Sequence, residues 1–165
     1  MFEFGGVSME RGELALYFHD ELFLPDMKAT TKEEALEELV DLFVKNHIIR
    51  NKEIVLEMLH KREALGSTGI GKGVAIPHGR TLAAPDVMIA FGRSRAGIEY
   101  DSMDGQPVHL FFMVLAPPHD RSNKYLPLLG KLVEFISEDQ VREQLLEAKD
   151  FQEVIDLIVG EQHAK

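Results

Sequence analysis

The 165-residue sequence contains no cysteine and no tryptophan. Without a thiol, disulfides, thiolate nucleophiles and cysteine metal sites are excluded outright. No apolar run approaches the roughly 18 residues that suggest a membrane span. The start, "MFEFGGVSMERGELALY", lacks a basic segment followed by an apolar core, so no signal peptide is expected and the chain reads as cytoplasmic. Positive charge is scarce: 18 Lys and Arg against 28 Asp and Glu leave a formal net charge of −10. That balance speaks against non-specific binding of nucleic acid or anionic membrane, where a basic patch is expected. No internal repeat, low-complexity tract or convincing linker is visible. What is present, 45% hydrophobic and 28% charged residues, suits one domain with a sizeable core. Residues 1–12, with Gly5, Gly6 and Gly12, read as a loosely held segment ahead of a domain at 13–160.

Local patterns assign the elements. Thr31 and Glu34 form a capping box ahead of Leu36, Leu39, Val40 and Phe43 at helical spacing. Asn51 can cap a second helix, "KEIVLEMLHKREAL", with Gly66 as its stop. "VAIPH", "DVMIAFGRS" and "PVHLFFMVLAP" read as strands, the last apolar enough to be buried on both faces. From Lys124 onward the pattern is helical, with a stripe of Leu126, Leu129, Leu132, Val133 and Ile136, then "EDQVREQLLEAK" and "DFQEVIDLIV". The expected fold is a single α/β domain, a central mixed sheet with helices packed on both faces.

The stretch "GSTGIGKGVAIPHGR" (66–80) nearly spells a nucleotide-binding loop, since Gly66, Gly71 and Lys72 fall on the pattern G-x-x-x-x-G-K-[ST]. Gly73 stands where the Ser or Thr hydroxyl should be. The context is also inverted: a helix precedes the run and a strand ending near Pro77 follows it, whereas a phosphate loop must open a helix. Lys72 therefore reads as an exposed loop lysine, and direct nucleotide titration is the test of the ATP- or GTP-enzyme reading. The run instead delivers a strand to "IPHG", where Pro77 fixes the backbone before His78 and Gly79 permits a turn or a close approach. Ser67, Thr68 and the loop amides offer polar partners, and Arg62 can reach the same place from the preceding helix.

"REALGSTGIGKGVAIPHGR" resembles the signature of type-2 enzyme IIA domains of the bacterial phosphotransferase system, the fructose/mannitol class and its nitrogen-regulatory relatives. "IEYDSMDGQPVHLFFMVLAPP" matches the family's second motif, and the likeness runs from about Leu14 to Val159. The resemblance implies that His78 carries a phosphoryl group on Nε2. It implies a histidine-containing phosphocarrier protein as donor and a IIB domain or a regulatory target as acceptor. Arg62, 16 residues earlier, lies where the family has an active-site arginine. Its planar fork suits phosphate oxygens. Ser67 and Thr68 either donate hydroxyls to the phosphate or shape the turn, and Gly79 supports the site. No cofactor and no metal is implied.

One departure stands out. The family often has a second active-site histidine in an H-L-x-x-L pattern, and "YLPLL" puts Tyr125 there. A phenol donates one hydrogen bond but carries no positive charge near neutral pH. His119, Arg121 or Lys124 are the candidates to supply that charge if their loop folds over the pocket. His19, His47, His60, His109 and His163 show no metal-ligand spacing, and His109, in the buried strand, reads as structural. Glu99, Asp101 and Asp104 fit a solvated turn. Two functions stay open: a carrier relaying phosphate to a IIB domain, or a standalone regulator whose phosphorylation state controls binding to target proteins.

Overall fold

The computed structural model describes residues 9–160. Its elements are α1 (Arg11–Ala15), β1 (Phe18–Leu24), α2 (Lys32–Lys45), α3 (Lys52–Ala64), β2 (Gly69–Gly71), β3 (Val74–Ala75), β4 (His78–Arg80), β5 (Met88–Ile98), β6 (Val108–Ala116), α4 (Tyr125–Ile136), α5 (Asp139–Glu147) and α6 (Phe151–Val159). The six-stranded mixed sheet has the order β1-β5-β6-β3-β2, with β4 also paired to β6. The β1/β5, β3/β6 and β4/β6 pairs are parallel; β5/β6 and β2/β3 are antiparallel. Among the described residues no helix is long and apolar enough to cross a membrane.

The side-chain alternation of β6 divides the core. Leu110, Phe112, Val114 and Ala116 face a cluster completed by α1, α4, α5 and α6. Phe111, Met113 and Leu115 face the opposite cluster, with α2 and α3. Helices thus cover both faces, which is why β6 carries so few polar residues. Phe112 stacks on Phe91 of β5 with ring centroids 4.7 Å apart.

The helix caps form locally. Thr31 Oγ1 accepts from the Glu34 amide (3.1 Å), and Asn51 Oδ1 accepts from the Ile54 amide (3.2 Å). The return arm of the capping box shifts by one residue: the Glu34 carboxylate accepts from the Thr30 amide. The buried residues of α2 include Leu36, Leu39, Val40 and Phe43, as the spacing predicts. In α4 the phase differs from the expected stripe. Tyr125, Leu128, Leu132, Phe135 and Ile136 are buried, while Leu126 is exposed. This helix is apolar almost all round, so periodicity alone does not select its inner face.

Of the segment expected to be loosely held, residues 1–8 lie outside the described residues. Residues 9–12 are packed instead: Met9 is buried, and Arg11 donates to the Ile158 and Leu157 carbonyls at 2.9 and 2.8 Å. The strand read from "VAIPH" is two strands. Ile76 and Pro77 carry the chain from β3, beside Leu110 and Phe111, to β4, beside Val114, Leu115 and Ala116.

Candidate functional site

The glycine run is a hairpin. β2 and β3 pair around Lys72 and Gly73, whose φ angles are 57° and 79°. Two successive positive φ values match the tight turn that suits the twist of a two-residue hairpin. Asp104 holds the tip, its carboxylate accepting from the Lys72 amide at 2.9 Å and from the Gln106 amide at 3.0 Å. Asp104 therefore braces the hairpin, more than the solvated turn expected for it. The element that follows Lys72 is the strand β3 and not a helix, so the geometry required to cradle nucleotide phosphates is absent from this run.

The base of the loop is built on Glu63, in the last turn of α3. Its carboxylate accepts from the Thr68 amide (3.0 Å), the Thr68 hydroxyl and the Tyr100 phenol (3.1 Å), and pairs with Lys32 Nζ at 2.9 Å. Burial raises the Glu63 pKa, but the hydrogen bonds from Thr68 and Lys32 outweigh it and hold the group below its ordinary value. Ser67 Oγ donates to the Tyr100 carbonyl and accepts from the Gly69 amide. Both hydroxyls thus have partners among Glu63, Tyr100 and the loop itself. Thr68 is 3% exposed.

His78 opens β4, half-buried. Its Nδ1 lies 2.7 Å from the Ile76 carbonyl oxygen. A carbonyl only accepts, so Nδ1 carries the proton and Nε2 keeps its lone pair in the neutral ring. Burial depresses the His78 pKa, the Ile76 carbonyl opposes that, and the Arg62 charge adds to the depression. The imidazole is therefore neutral near pH 7, with Nε2 free of hydrogen bonds among the described residues. Such a ring is a competent nucleophile.

Gly79 is needed for a close approach. A Cβ built there would overlap Met58 Sδ of α3. Strand alternation then sends His78 and Arg80 to the opposite face, toward α4. There Arg80 Cζ lies 4.6 Å from the centre of the Tyr125 ring. Burial pushes the Tyr125 phenol up to about 12, with Arg80 and Arg62 both pulling the other way. Arg62 thus stands within electrostatic range of both His78 and Tyr125, while its Nη1 donates to the Gly66 carbonyl at 3.0 Å. Among the described residues neither Arg62 nor Arg80 pairs with a carboxylate.

The loop before α4 is organised by Asp120, whose carboxylate accepts from the Lys124 and Tyr125 amides at 2.7 and 2.8 Å. Lys124 is not available to replace a histidine in the pocket, because its Nζ pairs with Glu13 at 2.6 Å. His119 and Arg121 are exposed. His109 is structural, as expected, its Nδ1 bonded to the Ser94 carbonyl at 2.9 Å. Sequence reasoning missed the stacking of Arg80 on Tyr125, for which the only local signal was the two-residue spacing from His78. It also missed Glu63, whose partners Lys32 and Tyr100 lie 31 and 37 residues away in the chain.

Chemically, the site sets a neutral imidazole within the field of the Arg62 guanidinium, an arrangement suited to an anionic electrophile. Comparison with known proteins leads the same way. The fructose-specific EIIABC component of Bacillus subtilis is 38% identical over 140 residues, 85% of this chain and 22% of that protein. The fructose-specific EIIA component of Haloferax volcanii is 38% identical over 138 residues, 84% of this chain and 89% of its relative. The crystal structure of nitrogen regulatory protein IIA-Ntr from Neisseria meningitidis superposes with a TM-score of 0.80 at 33% identity, covering 88% of this chain and 98% of that one. Escherichia coli enzyme IIA mannitol, solved in complex with phosphorylated enzyme IIB mannitol, shares the fold at TM-score 0.71 and 23% identity, covering 87% and 98%. The model of the family "Phosphoenolpyruvate-dependent sugar phosphotransferase system, EIIA 2" matches residues 16–160, and the chain belongs to that family as a phosphotransferase component.

Proposed function

We propose that this chain carries its phosphoryl group on His78 Nε2, receiving it from a histidine-containing phosphocarrier protein and passing it to a IIB domain. The observation that carries this reading is the tie of His78 Nδ1 to the Ile76 carbonyl, which presents a neutral Nε2 beside Arg62. In the transfer, the Nε2 lone pair forms the new P–N bond as the donor's P–N bond breaks. The donor ring, protonated on its other nitrogen, leaves as neutral imidazole with the electron pair of that bond. His78 keeps its Nδ1 proton on Ile76, so no proton moves between the partners. Arg62 neutralises charge on the phosphoryl oxygens, and the fixed ring supplies the in-line geometry.

Intact-mass analysis after incubation with phosphoenolpyruvate, enzyme I and the phosphocarrier tests this. One acid-labile phosphate is expected on the wild type and none on His78→Ala; an equal gain in both would remove His78 from its role. The likeness to the Neisseria nitrogen regulatory structure supports a second reading, a regulator whose phosphorylation state controls binding to a target protein. Passage of the label to a fructose-type IIB domain favours the first reading. A phosphate that stays in place while affinity for a target changes favours the second.

A further inference from the structure

We propose that Arg80 is a second phosphoryl-binding residue and that Tyr125 is the platform holding it beside His78. The inference rests on the carrier reading and extends it to two residues of the same site. Three observations support it. Gly79 faces Met58, so His78 and Arg80 share the other face of β4, about 7 Å apart along the strand. That spacing is well within the length of an arginine side chain. The Arg80 guanidinium is stacked over Tyr125 rather than spent on a carboxylate. Among the described residues its one direct hydrogen bond reaches the Pro118 carbonyl at 3.5 Å, the outer limit for such a bond, so most of its fork is unengaged there.

Tyr125 itself is 5% exposed, and its hydroxyl is not a buried orphan: among the described residues that description fits Ser102 Oγ instead. Both Arg80 and Arg62 act on that phenol electrostatically. Arg62 comes from the end of a helix and acts on both His78 and Tyr125, while Arg80 comes from the strand that carries His78 and reaches the same phenol. In a chain with net charge −10, two guanidinium groups that pair with no carboxylate among the described residues and act on one phenol, with a neutral imidazole on the same strand face as Arg80, suit a dianion. Tyr125 fixes the Arg80 fork by its ring face.

The test is single-turnover phosphorylation by the phosphorylated histidine phosphocarrier, read by quenched intact mass, with a ³¹P titration of the product. Arg80→Gln is expected to slow transfer by at least about tenfold. Arg80→Lys should recover only part of the loss, because an ammonium lacks the planar fork. Tyr125→Leu keeps apolar volume but removes the π-face; it should slow transfer as Arg80→Gln does. The double variant should be no slower than Arg80→Gln alone, since the ring acts through the guanidinium. Tyr125→Phe, which keeps the ring, should rescue most of the Tyr125→Leu loss. Removing the cation should also raise the pKa of the phosphoryl group in both Arg80→Gln and Tyr125→Leu.

Arg80→Gln transferring within about twofold of wild type, with an unchanged phosphoryl titration, would overturn the assignment. Additive losses in the double variant would overturn the platform role of Tyr125 alone. Wild-type protein that takes no phosphate from a competent donor would overturn the carrier reading itself, and the cradle with it.

Discussion

At His78 the tautomer follows from its neighbour, because the Ile76 carbonyl only accepts and so fixes the ring proton on Nδ1. Its pKa lies below the ordinary 6.5, chiefly through burial. An NMR titration is expected to show this directly. Arg62→Gln should raise the His78 pKa, since the arginine charge lowers it; Glu63→Gln should lower it further, since the carboxylate raises it. The sign carries into stability. Between the folded pKa and 6.5 the unfolded chain binds more protons than the folded one. The His78 contribution is therefore complete above pH 6.5 and declines as the pH falls toward the folded value. A stability curve in which His78→Gln improves tolerance of mild acid would agree; one in which that variant loses acid stability would not.

The elements divide into those specified locally and those specified from a distance. Thr31 and Asn51 cap α2 and α3 through bonds to residues three positions on, which is why both helices are legible in the sequence. Thr31→Ala is expected to cost about 1 kcal/mol in chemical denaturation, the usual loss for such a cap. β1 was not legible. "FHDELFL" has charges at its centre and no clean alternation, because it is paired on one side only, with a register shift between Phe18 and Phe23. The hairpin of β2 and β3 was hidden for another reason: its turn places a lysine at a positive φ that the residue type disfavours. Lys72→Asn is expected to stabilise the protein by roughly 0.5–1 kcal/mol, relieving left-handed strain. That gain should appear without loss of phosphoryl transfer and without nucleotide binding in either protein. Weaker stability in the variant would show that the lysine side chain supports the turn.

Across the whole molecule the least legible residue is Arg93, 2% exposed in β5. Its guanidinium donates to the Pro25 carbonyl and to those of Leu145, Leu146 and Ala148 at the end of α5. One side chain thus ties the β1–α2 connection, the sheet and the C-terminal helices together. The hint in the sequence was shared with Arg95, two residues on in the same strand, and the four acceptors of Arg93 lie 52 to 68 residues away. Arg93→Met should strand those carbonyls and cost about 3 kcal/mol. That corresponds to a fall of roughly 6–12 °C in melting temperature for a chain of this size. Phosphoryl transfer measured well below that temperature should be unaffected.

The site is distributed in the same way. His78 stood out because Pro77 and Gly79 flank it, while the packing of α3, β4 and α4 brings Arg62 into range of His78 and both Arg62 and Arg80 into range of Tyr125. The central claim is that this packing presents one ring nitrogen to a phosphoryl donor. It is tested most directly by a ¹⁵N–³¹P correlation spectrum of the phosphorylated, ¹⁵N-labelled protein. The account predicts phosphorus coupled to His78 Nε2, with the Nδ1 proton still present. Coupling to Nδ1, or to a nitrogen of any other histidine, would contradict it.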